Sequence, residues 1–467
     1  MSTGRFVLPD SPDRDFFILN YSELSAGETD GIQFFAALLI QSSIFSLFLF
    51  VLVIVLIHWV ALCSFLYSAR RKEWREPKEV FRPKVAVILA LRGGDPFLRR
   101  CLEGLLAQDY GLYTVFIVVD HINDPALQTV QDVLDDHAIN SSAGTKNVKL
   151  LIASQHRDTC ALKCNSLLEA VERLDTDTEI VVTLDADTNP YPTWLAELVE
   201  PLSDDRFVAA TGMRWYFPPK SNAGTLVRYL WNAAAFVQMY FYKIPWGGSL
   251  AMRRELFEQY GLGNLWKNSL SDDLTLSSAV RRSGKRIAYT SVLMANGETC
   301  GLFPFFYWVR RQMLVTKLYH PAWHAVLGQC LLISVPQIIL VAMMFGTLTM
   351  GKWLEFFQLA GTFVFYWLAV LGTLFPMEYA VRRLMKRTNT VPVRPSWKMI
   401  AAMVFAVPLT QAVYTAAVLS LFWQKKVEWR GVWYEIGKDK TVKLIEYIPY
   451  AEVKINVSPN TGETTSL

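Results

Sequence analysis

The sequence predicts an α/β enzyme domain, built on a doubly wound and mostly parallel sheet and carried between membrane helices. Three observations support this. Between residues 80 and 300, short β-branched runs alternate with helix-like segments, which is the pattern of βαβ units. Long stretches without Asp, Glu, Lys or Arg flank that region, and each reaches the ~20 residues needed to cross hydrocarbon. Finally, the buried run Ile180 to Leu184 stops at two carboxylates, Asp185 and Asp187. A strand covered on both faces cannot carry Asp inward without a partner, so the pair belongs at the strand's C-terminal end, where open α/β sheets bind ligands.

Composition agrees. With 467 residues, 52% of them hydrophobic and 15 Trp, and a mean hydropathy of +0.22, the chain is too apolar to be wholly soluble. Its 46 basic and 42 acidic side chains balance too closely to suggest nucleic acid as a partner. The six cysteines are scattered through apolar contexts, so no disulfide framework is expected. Cys160 and Cys164 have no second pair at ligand spacing and read as small buried hydrophobes.

In order, residues 1–31 are polar and read as an exposed arm. Residues 32–69 follow without a charge other than His58 and hold the first span, with its core at Ile44 to Tyr67. Arg70, Arg71, Lys72 and Arg75 come next, after an acidic N-terminal flank, so the positive-inside rule sets the following domain in the cytoplasm. Within 80–300 the expected strands are Val85–Leu91, Val115–Val119, Val148–Ala153 and Ile180–Leu184. The helices between them are one opened by Asp95-Pro96 and running through Ala107, then Pro125–Asp136 and Ala161–Leu174. Asp120 and Asp185 both fall just past strand ends, on one rim of the sheet. There is no G-x-G-x-x-G and no P-loop, which counts against an oxidoreductase or an ATPase.

Further on the chain turns aromatic. Trp231 to Tyr242 is uncharged but too short to span, and reads either as a core helix or as one in the membrane interface. Residues 301–320 set Phe303, Phe305, Phe306, Tyr307 and Trp308 ahead of Arg310, Arg311 and Lys317, as an interfacial helix beside a lipid acceptor would. Residues 322–423 hold three apolar segments, near Ala325–Leu348, Phe356–Met377 and Met399–Trp423; the second ends in Arg382, Arg383, Lys386 and Arg387. The third contains Pro408 and is basic on both sides, so a broken interfacial or re-entrant helix is expected, leaving the tail, 424–467, in the cytoplasm, with a true fourth span as the alternative. Residues 443–457 alternate like a strand.

Two convergent carboxylates at a sheet rim suit a divalent ion carrying phosphate oxygens, although either Asp also suits a helix N-cap. Asp272-Asp273 likewise fits both a general-base pair and the acidic first turn of a helix over Leu274–Arg282. Asp120 in Val-Val-Asp120-His-Ile-Asn-Asp124-Pro125, then Lys163-Cys-Asn165, Asp185-Ala-Asp187, Gly247-Gly248-Ser249, Ser271-Asp272-Asp273 and Arg311 follow one another in this order. Together they resemble the motifs of family 2 glycosyltransferases with the GT-A (Rossmann-like) fold. The ceramide glucosyltransferase branch is nearest, sharing the Asp-His-x-x-Asp-Pro box and the layout of one leading span with a trailing membrane bundle.

That resemblance implies a membrane-embedded inverting hexosyltransferase moving a sugar, glucose being expected, from a UDP-sugar to a lipid hydroxyl such as ceramide. Asp187, helped by Asp185, would hold Mg2+ or Mn2+. Asp120 would read uracil, and Lys163, Asn165, Asp185, Gly247, Gly248 and Ser249 would bind substrate. Asp273 would be the base, with Asp272 and Arg311 beside it. Two departures stand out. The usual Gln or Arg, two spacers, then Arg-Trp becomes Arg311-Gln-Met-Leu314-Val315, without the second Arg and the Trp; their loss argues against a processive polysaccharide synthase. Conversely, Asp187 is present where the ceramide branch tends to lack it. A catalytically inactive scaffold with the same fold is the reading from another class, and Trp429-Arg430-Gly431 resembles a tail box of membrane family 2 enzymes.

Overall fold

The computed structural model describes residues 21–69, 80–140, 147–386 and 394–453. The expected basic cluster at 70–75, and Arg387, lie outside the described residues. So does the end of the tail beyond residue 453.

The chain enters through α1 (Tyr21–Ser68) and builds the catalytic domain as β1 (Val85–Leu91), α2 (Leu98–Leu106), β2 (Tyr113–Val119), α3 (Pro125–Asn140), β3 (Val148–Ile152), α4 (Leu162–Val171), β4 (Ile180–Leu184), α5 (Trp194–Val199), β5 (Phe207–Tyr216), α6 (Ala223–Tyr242), β6 (Ser249–Arg253), α7 (Glu255–Glu258), α8 (Leu262–Trp266), α9 (Asp272–Ser283) and β7 (Arg286–Asn296). Then come α10 (Leu302–Tyr319), α11 (Trp323–Thr349), α12 (Trp353–Met385) and α13 (Trp397–Ser420), and last β8 (Lys426–Trp429), β9 (Val432–Ile436) and β10 (Val442–Glu446).

The first seven strands form one sheet in the order β3-β2-β1-β4-β6-β5-β7. Only β6 runs antiparallel to its neighbours β4 and β5, so the sheet is mostly parallel, as expected. Alternation divides each strand between two cores. Ile88, Phe116 and Val181 face α4 and α6, while Val87, Ile117 and Val182 face α2, α3 and α5. Both faces are therefore covered, which is why these strands read as continuous apolar runs.

β6 reverses the chain at the switch point and brings Gly247 and Gly248 against the end of β4. The Asp185 amide donates to the Gly248 carbonyl, 3.3 Å away, and the Thr183 hydroxyl donates to the Gly247 carbonyl at 2.7 Å. A Cβ on Gly248 would lie 2.5 Å from an Asp185 carboxylate oxygen. Glycine is required there by close approach rather than by backbone conformation.

The domain grips the membrane helices through α6 and α10. Phe65 near the end of α1 packs edge-on against Phe236 and Tyr240 at 5.5 and 5.3 Å. The Tyr229 hydroxyl donates to Glu378 of α12 at 2.8 Å, and Arg382 holds the same carboxylate at 2.6 Å. Four helices, Leu38–Ser68, Trp323–Thr349, Trp353–Met385 and Trp397–Ser420, are long and apolar enough to cross a membrane.

Three expectations change. The arm predicted for residues 1–31 is helical from Tyr21 onward. Once the apolar span has nucleated, extension costs only one residue's backbone freedom per hydrogen bond gained, so the helix runs back through polar residues. Residues 397–420 are one continuous helix, not a broken one. Pro408 removes a single amide, and neighbouring helices α6, α10, α11 and α12 pack around the segment that lacks it. The tail is a three-stranded antiparallel sheet, β10-β9-β8.

Asn232 of α6 ties the helix to β5, accepting from the Tyr216 amide at 3.0 Å and donating to the Arg214 carbonyl at 3.2 Å. Asn232→Ala leaves that buried amide unpaired and is expected to destabilise the protein by about 1–3 kcal/mol, seen as a lower thermal midpoint of the detergent-solubilised chain.

Candidate active site

One cavity at the C-terminal rim of the sheet is lined by Asp120, Lys163, Asp185, Asp187, Asp272, Asp273 and Arg311, seven of the residues singled out from sequence. Lys163, in the first turn of α4, stands between the end of β4 and the start of α9. Its ammonium is 2.8 Å from Asp185 and 3.3 Å from Asp272. Burial alone would lower its pKa, but Asp185, Asp272 and Asp273 override this and hold it above the usual lysine value. Asp185 is correspondingly held below the usual carboxylate range, since Lys163 and Arg214 outweigh the effect of burial.

Asp187 is different. Burial pushes its pKa up to about 6, with Asp185 adding to the rise and Arg214 opposing it. Arg214 of β5 lies 2.5 Å from it. Among the described residues no group of three or more His, Cys, Asp or Glu is arranged to hold a metal. Two crowded carboxylates still fit a hard divalent cation whose remaining ligands are phosphate oxygens and water. A cation would stabilise the charged form that burial, and Asp185 after it, disfavour at Asp187.

Asp272 and Asp273 open α9 and have separate surroundings. Asp273 is half-buried and fixed by three donors: the Ser271 hydroxyl at 2.5 Å, the Leu274 amide at 2.8 Å and the Gly247 amide at 2.9 Å. Asp272 is enclosed beside Lys163, and burial, with Asp273 and Asp185 nearby, pushes it up to about 6. Ser271 is the N-cap, accepting from the Leu274 amide. The helix-cap and catalytic readings of this pair are thus compatible.

At the other end of the cavity Asp120 is buried and ion-paired with Arg92. The Tyr447 hydroxyl, from the tail, donates to its Oδ2 at 3.0 Å. His156 Nε2 stands 3.4 Å from Oδ1 and stacks on Tyr447 with centroids 3.7 Å apart. Burial would raise the Asp120 pKa, yet His156 and Arg92 bring it below the usual value. Oδ1 itself accepts no hydrogen bond among the described residues.

Arg311 of α10 enters the cavity with its guanidinium over the Trp429 ring, 4.8 Å from the centroid. Burial and the neighbouring Arg430 push it down to about 10, so it stays protonated at neutral pH. The tail box supplies this neighbourhood. Arg430 donates to the Arg92 carbonyl at 2.7 Å, while Arg92 donates to the Arg430 and Ile448 carbonyls at 3.1 and 2.7 Å. Trp429 and Arg430 of the tail stand beside Arg311 in space.

Four expected substrate contacts, Asn165, Gly247, Gly248 and Ser249, are not part of the cavity lining. Asn165 is fully buried and braces the loop after β3, donating to the Gln155 carbonyl at 2.6 Å and accepting from Arg157 at 2.9 Å. Ser249 accepts from the Trp194 indole at 2.9 Å and locks β6 to α5. Their side chains are used up by the fold, whereas Gly247 and Gly248 act through backbone contacts at the cavity's edge. Arg92, Arg214, Trp429, Arg430 and Tyr434 line the cavity without having been expected. Arg214 carried a signal: a charged residue inside the apolar run Phe207 to Tyr216 needs a buried partner. Trp429 and Arg430 carried only the tail-box resemblance, which does not place them at the cavity, because their contact with the end of β1 spans over 300 residues of chain.

A mostly parallel α/β sheet with paired carboxylates and cations at its C-terminal rim is the arrangement of a GT-A fold. Residues 53–442 match the model of glycosyl transferase family 21, and the chain belongs to that family. The glycosyltransferase expectation therefore stands, with family 21 in place of family 2. No curated protein matches. Among solved structures it resembles the mannosyltransferase of Pyrobaculum calidifontis in complex with GDP-Man and Mn2+, at 16% identity and a TM-score of 0.43, covering 81% of this chain and 99% of that one. It also resembles the glucosyl-3-phosphoglycerate synthase of Mycobacterium tuberculosis in complex with Mn2+, UDP and glucosyl-3-phosphoglycerate, at 15% identity and a TM-score of 0.34, covering 52% and 84%.

A proton and a cation compete for Asp187. Manganese-dependent affinity for UDP is thus expected to rise with pH through about 6 and to level off above it. Asp187→Ala should abolish the manganese dependence at every pH in calorimetric titration. Unchanged affinity would move the ion elsewhere.

Proposed function

We propose that this glycosyltransferase moves glucose from UDP-glucose to the hydroxyl of a membrane lipid such as ceramide, with inversion, at the cytoplasmic leaflet. The observation that carries the reading is the cavity's position. It has a carboxylate-and-cation rim of the sheet on one side and Trp308, Arg311 and Val315 of α10, a helix seated on the membrane bundle, on the other. Phe303 and Tyr307 of α10 are 75% and 61% exposed, as aromatic side chains at a headgroup layer would be.

In this reading the Asp120 Oδ1, which faces His156 Nε2 at 3.4 Å, accepts the uracil N3–H. Arg311 and Arg430 face the diphosphate. Asp185 and Asp187 hold a divalent ion, Mg2+ or Mn2+, which when bound neutralises charge on the departing diphosphate. Asp273, more open than Asp272 and oriented by three donors, takes the acceptor proton. Asp272 and Lys163 set its surroundings. Attack opposite the diphosphate turns an α-linked donor into a β-glycoside.

The same reading orients the chain. α11 leaves from the end of α10 and α12 returns to Glu378 and Arg382 beside α6. The strands β8–β10 after α13 dock on the catalytic cavity. A crossing by α13 would strand them on the far face, so in this reading the continuous helix α13 lies along the catalytic-side interface and three helices cross. Arg382, Arg383 and Lys386 on that side assign it to the cytoplasm. A processive synthase would need a polar channel through this bundle, and the bundle's cavity is apolar.

Two tests follow. The purified chain with UDP-glucose, manganese and separate vesicles of ceramide, diacylglycerol, sterol or polyprenyl phosphate is expected to yield one glycosylated lipid by mass spectrometry. UDP release without any lipid product would overturn the acceptor assignment, and metal-independent UDP binding would favour an inactive scaffold. Asp273→Asn is expected to keep UDP-glucose affinity while transfer falls about 100-fold or more; loss of donor binding would remove Asp273 as the base.

A further inference from the structure

A second cavity, of about 170 Å³, lies inside the membrane bundle between α1, α6, α11, α12 and α13. Leu62, Leu230, Val237, Val370, Leu374 and Val407 supply much of its wall.

Several of its polar side chains are paired with one another or with neighbours. Gln411 donates to the Tyr366 hydroxyl at 2.7 Å, Tyr242 donates to Gln329 at 2.6 Å, and Ser334 meets Thr415 at 2.5 Å. The Tyr414 hydroxyl also lines the cavity, yet it is buried with no hydrogen-bond partner among the described residues. In hydrocarbon such a group is costly unless something bonds it, and neither lipid tails nor neighbouring side chains do so here.

The cavity abuts the catalytic one. Trp231 lines the membrane cavity and Trp308 lines the catalytic cavity. The two indoles meet edge to face with centroids 5.3 Å apart, so this pair is the partition between the two spaces. Both residues sit on the helices that carry the catalytic domain on the membrane, α6 and α10.

We propose that this cavity receives one hydrocarbon chain of the acceptor lipid, and that a backbone hydroxyl or amide of that lipid bonds Tyr414. The lipid's reacting hydroxyl then reaches Asp273 past the Trp231–Trp308 pair. Lipids are sorted by whether they offer Tyr414 a hydrogen-bonding group next to a chain that fits. This inference rests on the lipid-acceptor reading above.

The test uses the full chain in phosphatidylcholine vesicles containing a ceramide with a diazirine midway along its acyl chain, irradiated without donor sugar. Crosslinks are expected on the α6 segment Trp231–Gln238 and the α13 segment Val407–Tyr414. Ala234→Trp, which adds an indole to the cavity wall, should reduce them at least tenfold, and Tyr414→Phe about fivefold. UDP affinity, unchanged in both variants, reports intact folding. Labelling confined to the outward faces of α1 and α11, and equal in Ala234→Trp and the unsubstituted chain, would overturn the proposal. Because crosslinking is read without turnover, failure of the acceptor reading shows separately, as the absence of any glycosylated lipid when UDP-glucose is added.

Discussion

The ammonium of Lys163 between Asp185 and Asp272 is the interaction on which the site depends. It lets the end of β4 and the start of α9 approach each other although both carry buried carboxylates. Remove the cation and Asp185, Asp272 and Asp273 would repel across a region with little water, where such repulsion is strong. The cation comes from the first turn of α4, so the packing of that helix under the sheet sets the spacing of the rim. Gly247 and Gly248 make the same closeness possible on the third side; a Cβ on Gly247 would lie 2.6 Å from an Asp272 oxygen.

At the opposite end of the cavity Arg92 plays a comparable part toward Asp120, and it also receives the tail. Its guanidinium lies between the Tyr447 and Tyr450 rings, 5.7 and 5.8 Å from their centroids, and donates to two tail carbonyls. The tail sheet is thereby a wall of the nucleotide end. It covers Asp120 with Tyr447 and sets Trp429 against Arg311. Gly93, at φ 81°, adopts a conformation that favours glycine and lies directly beneath the Tyr450 ring, so a larger residue there would displace the tail.

The catalytic domain and the membrane helices form one structure rather than a domain on a tether. α6 is shared by both: Asn232 serves β5, Tyr229 serves α12, and Trp231 lines the membrane cavity. Lys317 of α10 donates to the Leu421 carbonyl at 2.9 Å, and Arg310 to Gln424 at 2.8 Å, fixing the end of α13 to the same unit. A change in the bundle therefore reaches Arg214 and Tyr216 through one helix.

The sequence by itself determined the alternation of strands and helices, the apolar spans, and the placement of Asp120, Asp185 and Asp187 at strand ends. These follow from local periodicity and from the cost of burying a carboxylate, both of which act over a few residues. It also marked Asp272 and Asp273, though not which of them lies beside Lys163. Tertiary structure alone decided that Asn165 and Ser249 brace the fold instead of facing the cavity, because their partners, Gln155, Arg157 and Trp194, are brought to them by packing. It alone decided that Trp429 and Arg430 stand beside Arg311. Contacts across hundreds of residues leave no periodic trace; they exist only because the sheet, the helix pair α6 and α10, and the tail sheet close on one another.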